Sequence, residues 1–328
     1  MTTGLIFNLL GGVGLFLFGI KLMGESLQDL AGDRMRRLIS ALTSSPLKGV
    51  LVGALMTAVI QASGATTVMA ASFVHAGMMT LKQSIGVMMG AAIGTTVTAQ
   101  LVAFKIGDFA LPMIGVGMLF AVFGRSKRQK FVGNGIVGFG LLFLGMLTMG
   151  NAMLFLGERQ DIFLAFRHHP LLGVLAGTIL TMLVQSSSAT VGLTIVMASQ
   201  GLLTLDSAIP ILFGDNIGTT ITAVLASLGL NRTARQSAFA HVLFKIIGAI
   251  VFLAFIGPFK SLVLLTSSDI ARQLANAHTL FNVLNTMMFL PFVTPFVQLV
   301  KAIIPDDEAA IMMGPRFLDR NLIKASPI

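Results

Sequence analysis

The sequence predicts an all-α membrane protein made of two inverted-topology repeats, each with a re-entrant helical hairpin, followed by a final transmembrane helix. Composition supports the first part of this prediction. Of the 328 residues, 55% are hydrophobic and only 11% are charged, and the mean hydropathy is +0.89. A soluble domain carries about 25% charged residues. The second observation is a polar heptapeptide that occurs twice, at residues 61–67 and 185–191, each time inside a long apolar stretch.

The composition also excludes several classes of function. The chain has no Cys, so it has neither disulfides nor thiolate chemistry. The net charge of +9 lies mainly in loops between apolar segments, so it indicates membrane topology rather than nucleic acid binding. No group of acids, histidines or glycines has the spacing of a catalytic site, a transition-metal site or an ATP-binding loop. We therefore expect neither an enzyme nor a bound cofactor.

The apolar segments give the order of elements along the chain. Residues 4–23 lack a basic leader region and a small-residue cleavage site, so we expect a retained helix rather than a signal peptide. Residues 25–45 and 152–169 mix charges with apolar residues at helical spacing, which favours helices on the membrane surface. The other apolar segments lie at about residues 47–60, 66–80, 84–104, 109–124, 133–150, 171–184, 189–203, 208–229, 238–257 and 279–300.

An internal repeat organises these segments. A shift of 124 places residues 46–104 on residues 170–228, with 23 of 59 positions identical, and aligns the two heptapeptides. In membrane proteins such a repeat often places a substrate path on a pseudo-two-fold axis. The predicted parts are a first repeat (1–124, hairpin 47–80), a cytoplasmic linker (125–132), a second repeat (133–257, hairpin 171–203), an extracellular loop with the last transmembrane helix (258–304) and a cytoplasmic tail (305–328).

The distribution of basic residues predicts the orientation. Equivalent loops of the two repeats have opposite bias, so the repeats are expected to be inverted in the membrane. The N-terminus is then outside and the C-terminus cytoplasmic, in a multi-pass protein of the cell inner membrane. The loops of the first unit carry eight basic residues, whereas the equivalent places of the second unit keep only Arg159 and Arg167. Conversely, the loop at 229–235 carries Arg232 and Arg235, and in its counterpart near 105–108 Lys105 is offset by Asp108. The eight basic residues are Arg34, Arg36, Arg37, Lys48, Arg125, Lys127, Arg128 and Lys130.

Each heptapeptide is predicted to form a hairpin tip between two half-helices of about 14 residues, too short to span a bilayer. The helix that starts after a tip offers N–H donors, which suit an anion, and the helix that ends before it offers carbonyls, which suit a hard cation. Hydroxyls and amides of the tips add donors and oxygen ligands. The alternative is that the Ser and Thr residues only hold helices together.

Further polar residues lie in the apolar segments. The runs with Thr95-Thr96 and Thr219-Thr220 suit either close packing or a ligand. Asp215 replaces an alanine of the first repeat and is a candidate cation or proton site, or else a helix end near the interface. His241 and Lys245 lie one turn apart, and Lys245 could simply snorkel to the interface. His278, Asn282 and Asn285 share roughly one helix face and could line a cavity or link helices.

Three stretches carry a resemblance to a known family: Gln61-Ala-Ser-Gly-Ala-Thr-Thr, Gln185-Ser-Ser-Ser-Ala-Thr and Asn216-Ile-Gly-Thr-Thr. They resemble the type II sodium/phosphate cotransporter family, in which paired Gln-Ser-Ser motifs occur in inverted repeats. The resemblance covers residues 4–300 and implies sodium-coupled symport of inorganic phosphate by alternating access, with Na⁺ as coupling ion. Carried over by position, it implies a phosphate site at Gln61, Ser63, Gly64, Thr66, Gln185, Ser187, Ser188 and Thr190. It implies sodium ligands at Gln61, Ser63, Thr67, Gln185, Ser186, Thr95, Thr96, Asn216, Thr219 and Thr220.

The sequence departs from the family pattern at three positions. Ala62 and Gly64 stand where the family often has Ser, which leaves open the number of sodium sites. Asp215 stands where the family usually has Ala or Ser, which could alter coupling or admit a proton.

Several alternatives stay open at this stage. A transporter of the same fold could export phosphate or carry another oxyanion, and a membrane sensor or a channel could use the same tips. The glycine content would allow a homodimer. Residues 315–327 resemble the start of a linker to a cytoplasmic PhoU-like domain, so a longer natural chain is expected.

Overall fold

The computed structural model describes residues 2–31, 45–104, 106–153, 166 and 169–306, and within these ranges the regular secondary structure is entirely helical. Six stretches of helix are long and apolar enough to cross a membrane: 6–31, 81–102, 127–153, 205–227, 232–254 and 270–303. The prediction of a multi-pass all-α membrane protein is therefore confirmed. Most of the two predicted surface helices and nearly all of the predicted tail lie outside the described residues.

The first half of the chain contains seven α-helices in its described part. They are α1 (Thr2–Ala31), α2 (Pro46–Ile60), α3 (Ser63–His75), α4 (Leu81–Gly94), α5 (Thr96–Val102), α6 (Ala110–Phe123) and α7 (Lys127–Met153).

The second half continues with eight more. They are α8 (Pro170–Val184), α9 (Ser187–Ser199), α10 (Leu205–Gly218), α11 (Ile221–Ser227), α12 (Arg232–Ala254), α13 (Ile256–Leu264), α14 (Ile270–Phe289) and α15 (Val293–Ile303). The region 258–278, predicted as an extracellular loop, thus carries most of α13 and the first turns of α14.

The internal repeat is visible in the helix boundaries. Helices α2, α3 and α4 start and end 124 residues before α8, α9 and α10. Proline stands at the first position of both α2 and α8, where its missing N–H costs nothing. The turns that follow α3 and α9 also correspond, because Gly77 and Gly201 both adopt positive φ. The two repeat units therefore share one local fold.

Glycine allows the helices of each repeat to pack closely. Gly53 of α2 lies so near Val87 of α4 that an added Cβ would overlap the Val87 carbonyl, and Gly177 of α8 stands in the same relation to Ile211 of α10. Small residues at such crossings are typical of membrane helices, which associate by close packing rather than by the hydrophobic effect. The two polar heptapeptides, residues 61–67 and 185–191, are the polar breaks of the two helix pairs. The matched packing of α2 on α4 and of α8 on α10 places these breaks in equivalent positions of the two repeats.

The two short helix pairs, α2–α3 and α8–α9, have the lengths expected for re-entrant hairpins. Each helix has 13 to 15 residues, and a membrane span needs about 20. Re-entrance and the predicted orientation of both repeats stay predictions.

Candidate functional site

The two polar breaks have the same backbone geometry. Gln61 follows the last residue of α2 and Gln185 follows the last residue of α8, and both glutamines adopt the left-handed conformation, with φ of 59° and 54°. Among the described residues they are the non-glycine residues with positive φ. This conformation is unfavourable for a residue with a Cβ and occurs mostly where function or packing demands it. It turns the chain so that α3 and α9 begin two residues later.

Both breaks line a single cavity of about 330 Å³. Its walls come from the two heptapeptides, from the next residue of α3 and from the junction between α10 and α11. The lining residues are Gln61, Ala62, Ser63, Gly64, Ala65, Val68, Gln185, Ser186, Ser187, Ser188, Thr219 and Thr222. The structure thus brings together eight of the predicted site residues from halves of the chain that are 124 positions apart.

The N-termini of α3 and α9 lie at this cavity. The first turn of a helix has N–H groups without partners inside the helix. At α3 the residue before the helix is Ala62, which has no side-chain cap to offer. At α9 the Ser186 hydroxyl accepts a hydrogen bond from the Ala189 N–H at 3.3 Å. Two helix N-termini together with serine hydroxyls form an arrangement that suits an oxyanion.

The two glutamines differ in their surroundings. Gln61 is buried, its side-chain oxygen accepts a hydrogen bond from Thr98, and its amide donates to the Ala58 carbonyl. Gln185 is exposed in the cavity wall. The Gln61 amide is therefore fixed by the protein, whereas the Gln185 amide is available to a ligand.

Several predicted ligands point away from the cavity. The hydroxyls of Thr66 and Thr190 are buried against those of Thr57 and Thr181, at 2.9 and 2.7 Å. The hydroxyl of Thr67 donates to the Gly64 carbonyl at 3.0 Å. The hydroxyls of these threonines thus bond to other parts of the protein and support the backbone of the breaks on the side away from the cavity. The hydroxyls of Thr96 and Thr220 donate to backbone carbonyls three residues earlier, Ile93 and Ile217, at 2.7 and 2.8 Å.

Thr95 connects the two repeats. Its hydroxyl lies 3.4 Å from the hydroxyl of Ser187, at the start of α9. Both residues border a void of about 10 Å³ behind the main cavity, which has room for about one water molecule. The void is lined by Ser63, Ala92, Thr95, Ser187, Asp215, Asn216, Thr219, His241, Lys245 and His278. The predicted sodium ligands Thr95 and Asn216 therefore lie at this void rather than in the main cavity, and Thr219 borders both.

A buried polar cluster lies on the far side of this void. The Lys245 ammonium is 2% exposed and donates to the side-chain oxygens of Asn216 and Asn282, at 2.6 and 2.8 Å. Lys245 therefore does not snorkel. Asp215 is fully buried, with one oxygen 3.0 Å from the Thr181 hydroxyl and the other 3.7 Å from Nε2 of His278.

Sequence reasoning missed two residues of the site, Thr98 and Thr222. Thr98 donates to Gln61, and Thr222 lines the cavity 2.9 Å from where a Cβ on Gly64 would lie. The two threonines are 124 positions apart and identical in the repeat. Their equivalence is the signal that could have identified them.

A second cavity of about 400 Å³ adjoins the first. Gln61, Ala62, Ala65 and Ser186 line both, and the second extends along α1 to Lys21, Glu25 and Gln28. It provides a partly polar route from the breaks to the C-terminal half of α1.

Comparison with known proteins agrees with this architecture. A family model described as Na+/Pi-cotransporter matches the chain twice, at residues 15–151 and 152–290. Each match contains one of the two heptapeptides, and the boundary between the matches falls in the last turn of α7. No solved structure matches the chain.

Among curated relatives, the chain is 29% identical over 244 residues to an uncharacterized protein, YqeW, of Bacillus subtilis, covering 74% of this chain and 79% of that protein. It is 27% identical over 261 residues to a Salmonella typhimurium protein named "Putative inorganic phosphate export protein YjbB", covering 79% of this chain. The chain spans about half (48%) of that relative's length. It is 34% identical over 108 residues to the human sodium-dependent phosphate transport protein 2B, covering 32% of this chain and 16% of that protein.

Proposed function

Because the chain belongs to the Na+/Pi-cotransporter family, a family of transporters and not of enzymes, we propose that it is a secondary transporter that couples the movement of inorganic phosphate to that of Na⁺. The observation that carries this proposal is the cavity lined by both heptapeptides. Its residues come from equivalent positions of two repeats, which is the arrangement expected for a substrate site between repeats.

Phosphate binds, in this proposal, between the N-termini of α3 and α9. The unpaired N–H groups of these first turns and the hydroxyls of Ser63, Ser187 and Ser188 donate to the phosphate oxygens. Gln185 contributes its exposed amide, and Gln61 holds the first break in shape through Thr98.

Sodium ions bind where carbonyls and hydroxyls meet. The C-terminal ends of α2 and α8 point carbonyls toward the breaks, and Ser63, Ser186 and Thr95 lie next to them. A bound Na⁺ lowers the cost of removing phosphate from water, since the two charges partly neutralise each other. Phosphate then binds well only when sodium is already bound, and this dependence couples the movement of the two ions.

Alternating access moves the loaded site between the two sides of the membrane. The cavity along α1, which shares Gln61 and Ser186 with the site, serves as the route to one side. If the orientation is as predicted, the C-terminal half of α1 faces the cytoplasm, and this route leads to the inside.

The experiment is uptake of radiolabelled phosphate into proteoliposomes that contain the purified chain. An inward Na⁺ gradient is compared with an inward K⁺ gradient of equal size. Uptake that needs Na⁺ and that accumulates phosphate above equilibrium supports symport. Equal uptake under both gradients, or none from folded protein, contradicts it.

Phosphate export is a second candidate, favoured by the name of the Salmonella relative. A coupled carrier works in either direction, so the Na⁺ and phosphate gradients in the cell determine whether phosphate moves in or out. Cells that express the chain are loaded with radiolabelled phosphate and transferred to phosphate-free medium. Faster loss of label than from cells without the chain supports export, and unchanged loss together with faster uptake contradicts it.

A further inference from the structure

Lys245 of α12 is the most deeply buried lysine in the described part of the chain. Its ammonium lies between α10 and α14, where Asn216 and Asn282 each accept one of its hydrogen bonds, at 2.6 and 2.8 Å. Burying an ammonium group away from water costs several kcal/mol unless it is well paired. Ionisable residues inside membrane segments are rare and usually functional.

The surroundings of the ammonium are those of a cation site. Two side-chain amide oxygens are in contact with it, and one carboxylate, Asp215, borders the same small void. One oxygen of that carboxylate has no hydrogen-bond partner among the described residues. The titratable groups that face Lys245 are Asp215 on α10, His241 on its own helix and His278 on α14. Oxygen atoms of amides and carboxylates are also the ligands that hard metal cations prefer.

The cluster adjoins the proposed substrate site. The void that Lys245 borders is also lined by Ser63 and Ser187, the first residues of α3 and α9. A positive charge here lies behind the two helix N-termini, where a coupling cation would stabilise a bound anion most strongly.

The second repeat contributes two oxygen-bearing side chains to this cation site, whereas the equivalent positions of the first repeat contribute none. Asp215 and Asn216 of the second repeat correspond to Ala91 and Ala92 of the first, which carry neither charge nor amide. Thr95 and Thr219, by contrast, are identical in both halves. The carboxylate, the amide and the lysine therefore form one unit that exists only in the second half.

We propose that the Lys245 ammonium stands in for one coupling sodium ion: it is a resident cation held by the side-chain oxygens of Asn216 and Asn282, beside the Asp215 carboxylate, which borders the same void. This inference rests on the proposed function for its meaning in transport. It predicts that the site accepts Na⁺ when the ammonium is removed, since the carboxylate and the amide oxygens then lack a cation.

The test is the variant Lys245→Met, which keeps an unbranched side chain without the charge. The full chain is purified, and its melting temperature is measured in sodium chloride and in choline chloride of equal ionic strength. The variant is expected to gain at least about 2 °C more than the wild type on the change from choline to sodium, because Na⁺ binds only the folded variant. Phosphate binding by the variant is expected to need more Na⁺ than binding by the wild type.

Two further variants make the test decisive. Lys245→Met/Asp215→Asn removes both charges and is expected to fold with the sodium response of the wild type. Lys260→Met removes a lysine that pairs with Asp206 at 2.5 Å outside the cluster, so it controls for the loss of a lysine charge elsewhere in the chain. It is also expected to show the wild-type response.

Three outcomes would overturn the proposal. The first is a Lys245→Met variant with the sodium response of the wild type. The second is a Lys245→Met variant that is unfolded even in sodium while the double variant folds, since Na⁺ then cannot replace the ammonium. The third is loss of phosphate binding at every Na⁺ concentration, which would indicate direct contact between Lys245 and phosphate. The melting readout needs no transport, so a chain that fails in proteoliposomes would refute the proposed function alone.

Discussion

The hydroxyl of Thr95 lies 3.4 Å from the hydroxyl of Ser187, and this contact joins the two repeats behind the cavity. The equivalent residues of the other half, Thr219 and Ser63, border the same void. Each break is thus set against a threonine of the opposite repeat. The relative position of the repeats is therefore part of the proposed site, so a movement between the repeats would change it.

This contact predicts energetic coupling between Thr95 and Ser187. In a double-mutant cycle with Thr95→Val and Ser187→Ala, we expect the effects on phosphate affinity to be non-additive by roughly 0.5–1.5 kcal/mol, as for other residues in contact. The measurement is equilibrium binding of radiolabelled phosphate in saturating Na⁺. Pairing Thr95→Val with Gln185→Ala, in which the partner is not hydrogen-bonded to Thr95, serves as the control. Simple additivity for Thr95 and Ser187 would show that the contact has no energetic role.

Gln61 and Gln185 are expected to respond differently to the same substitution. Gln61→Ala leaves the buried Thr98 hydroxyl without its acceptor, which costs about 1–3 kcal/mol of stability. Gln185→Ala removes an exposed amide from the cavity wall, so it should weaken phosphate binding with little loss of stability. Thermal unfolding in detergent and phosphate binding, measured on both variants, separate the two effects. Equal stability losses in both variants are the contrary result.

Thr57 and Thr181 occupy equivalent positions of the two repeats, but their replacement is expected to lower the stability of the chain by different amounts. A hydroxyl has one proton, and the Thr181 hydroxyl is placed to donate it either to the buried Asp215 carboxylate, at 3.0 Å, or to the Thr190 hydroxyl, at 2.7 Å. Thr181→Val removes the hydrogen bond of a buried charged group, which is worth about 1.5–3 kcal/mol. Thr57→Val breaks only a hydroxyl pair with Thr66. Unfolding experiments should rank Thr181→Val as the more destabilising, and the reverse order contradicts this explanation.

Gly64 is expected to tolerate no side chain without a change in Thr222. A Cβ on Gly64 would lie 2.9 Å from the Thr222 hydroxyl, closer than real Cβ atoms approach. Gly64→Ala should destabilise the chain by about 1–3 kcal/mol through overpacking and lower phosphate affinity. Adding Thr222→Ala should restore part of the loss. Gly115→Ala, with no atom within 4 Å of its Cβ, is the control. A Gly64→Ala variant as stable as this control would refute the steric argument.

The sequence predicted the helix pairs and their correspondence well, because both depend on local patterns. The run before Gln61 is apolar and free of breakers, and the same pattern recurs at Gln185, so helices α2 and α8 could be placed within one or two residues. The shift of 124 that aligned the heptapeptides also aligns the helix boundaries.

The parts that the sequence did not predict depend on contacts between distant segments. The burial of Lys245 requires Asn216 and Asn282 to approach it from two other helices. A lysine in an apolar segment has the same local pattern whether it snorkels or lies in the interior. The roles of Thr66 and Thr190 behind the breaks, rather than in the cavity, likewise depend on the facing threonines Thr57 and Thr181.

The central claim is that the two breaks form one phosphate site, and the number of phosphate ions bound per chain tests it most directly. Titration of the purified chain with radiolabelled phosphate in saturating Na⁺ should give one phosphate per chain, and Ser63→Ala or Ser187→Ala alone should weaken that whole binding event. Two phosphates per chain, with each variant losing one and leaving the other unchanged, would contradict the account.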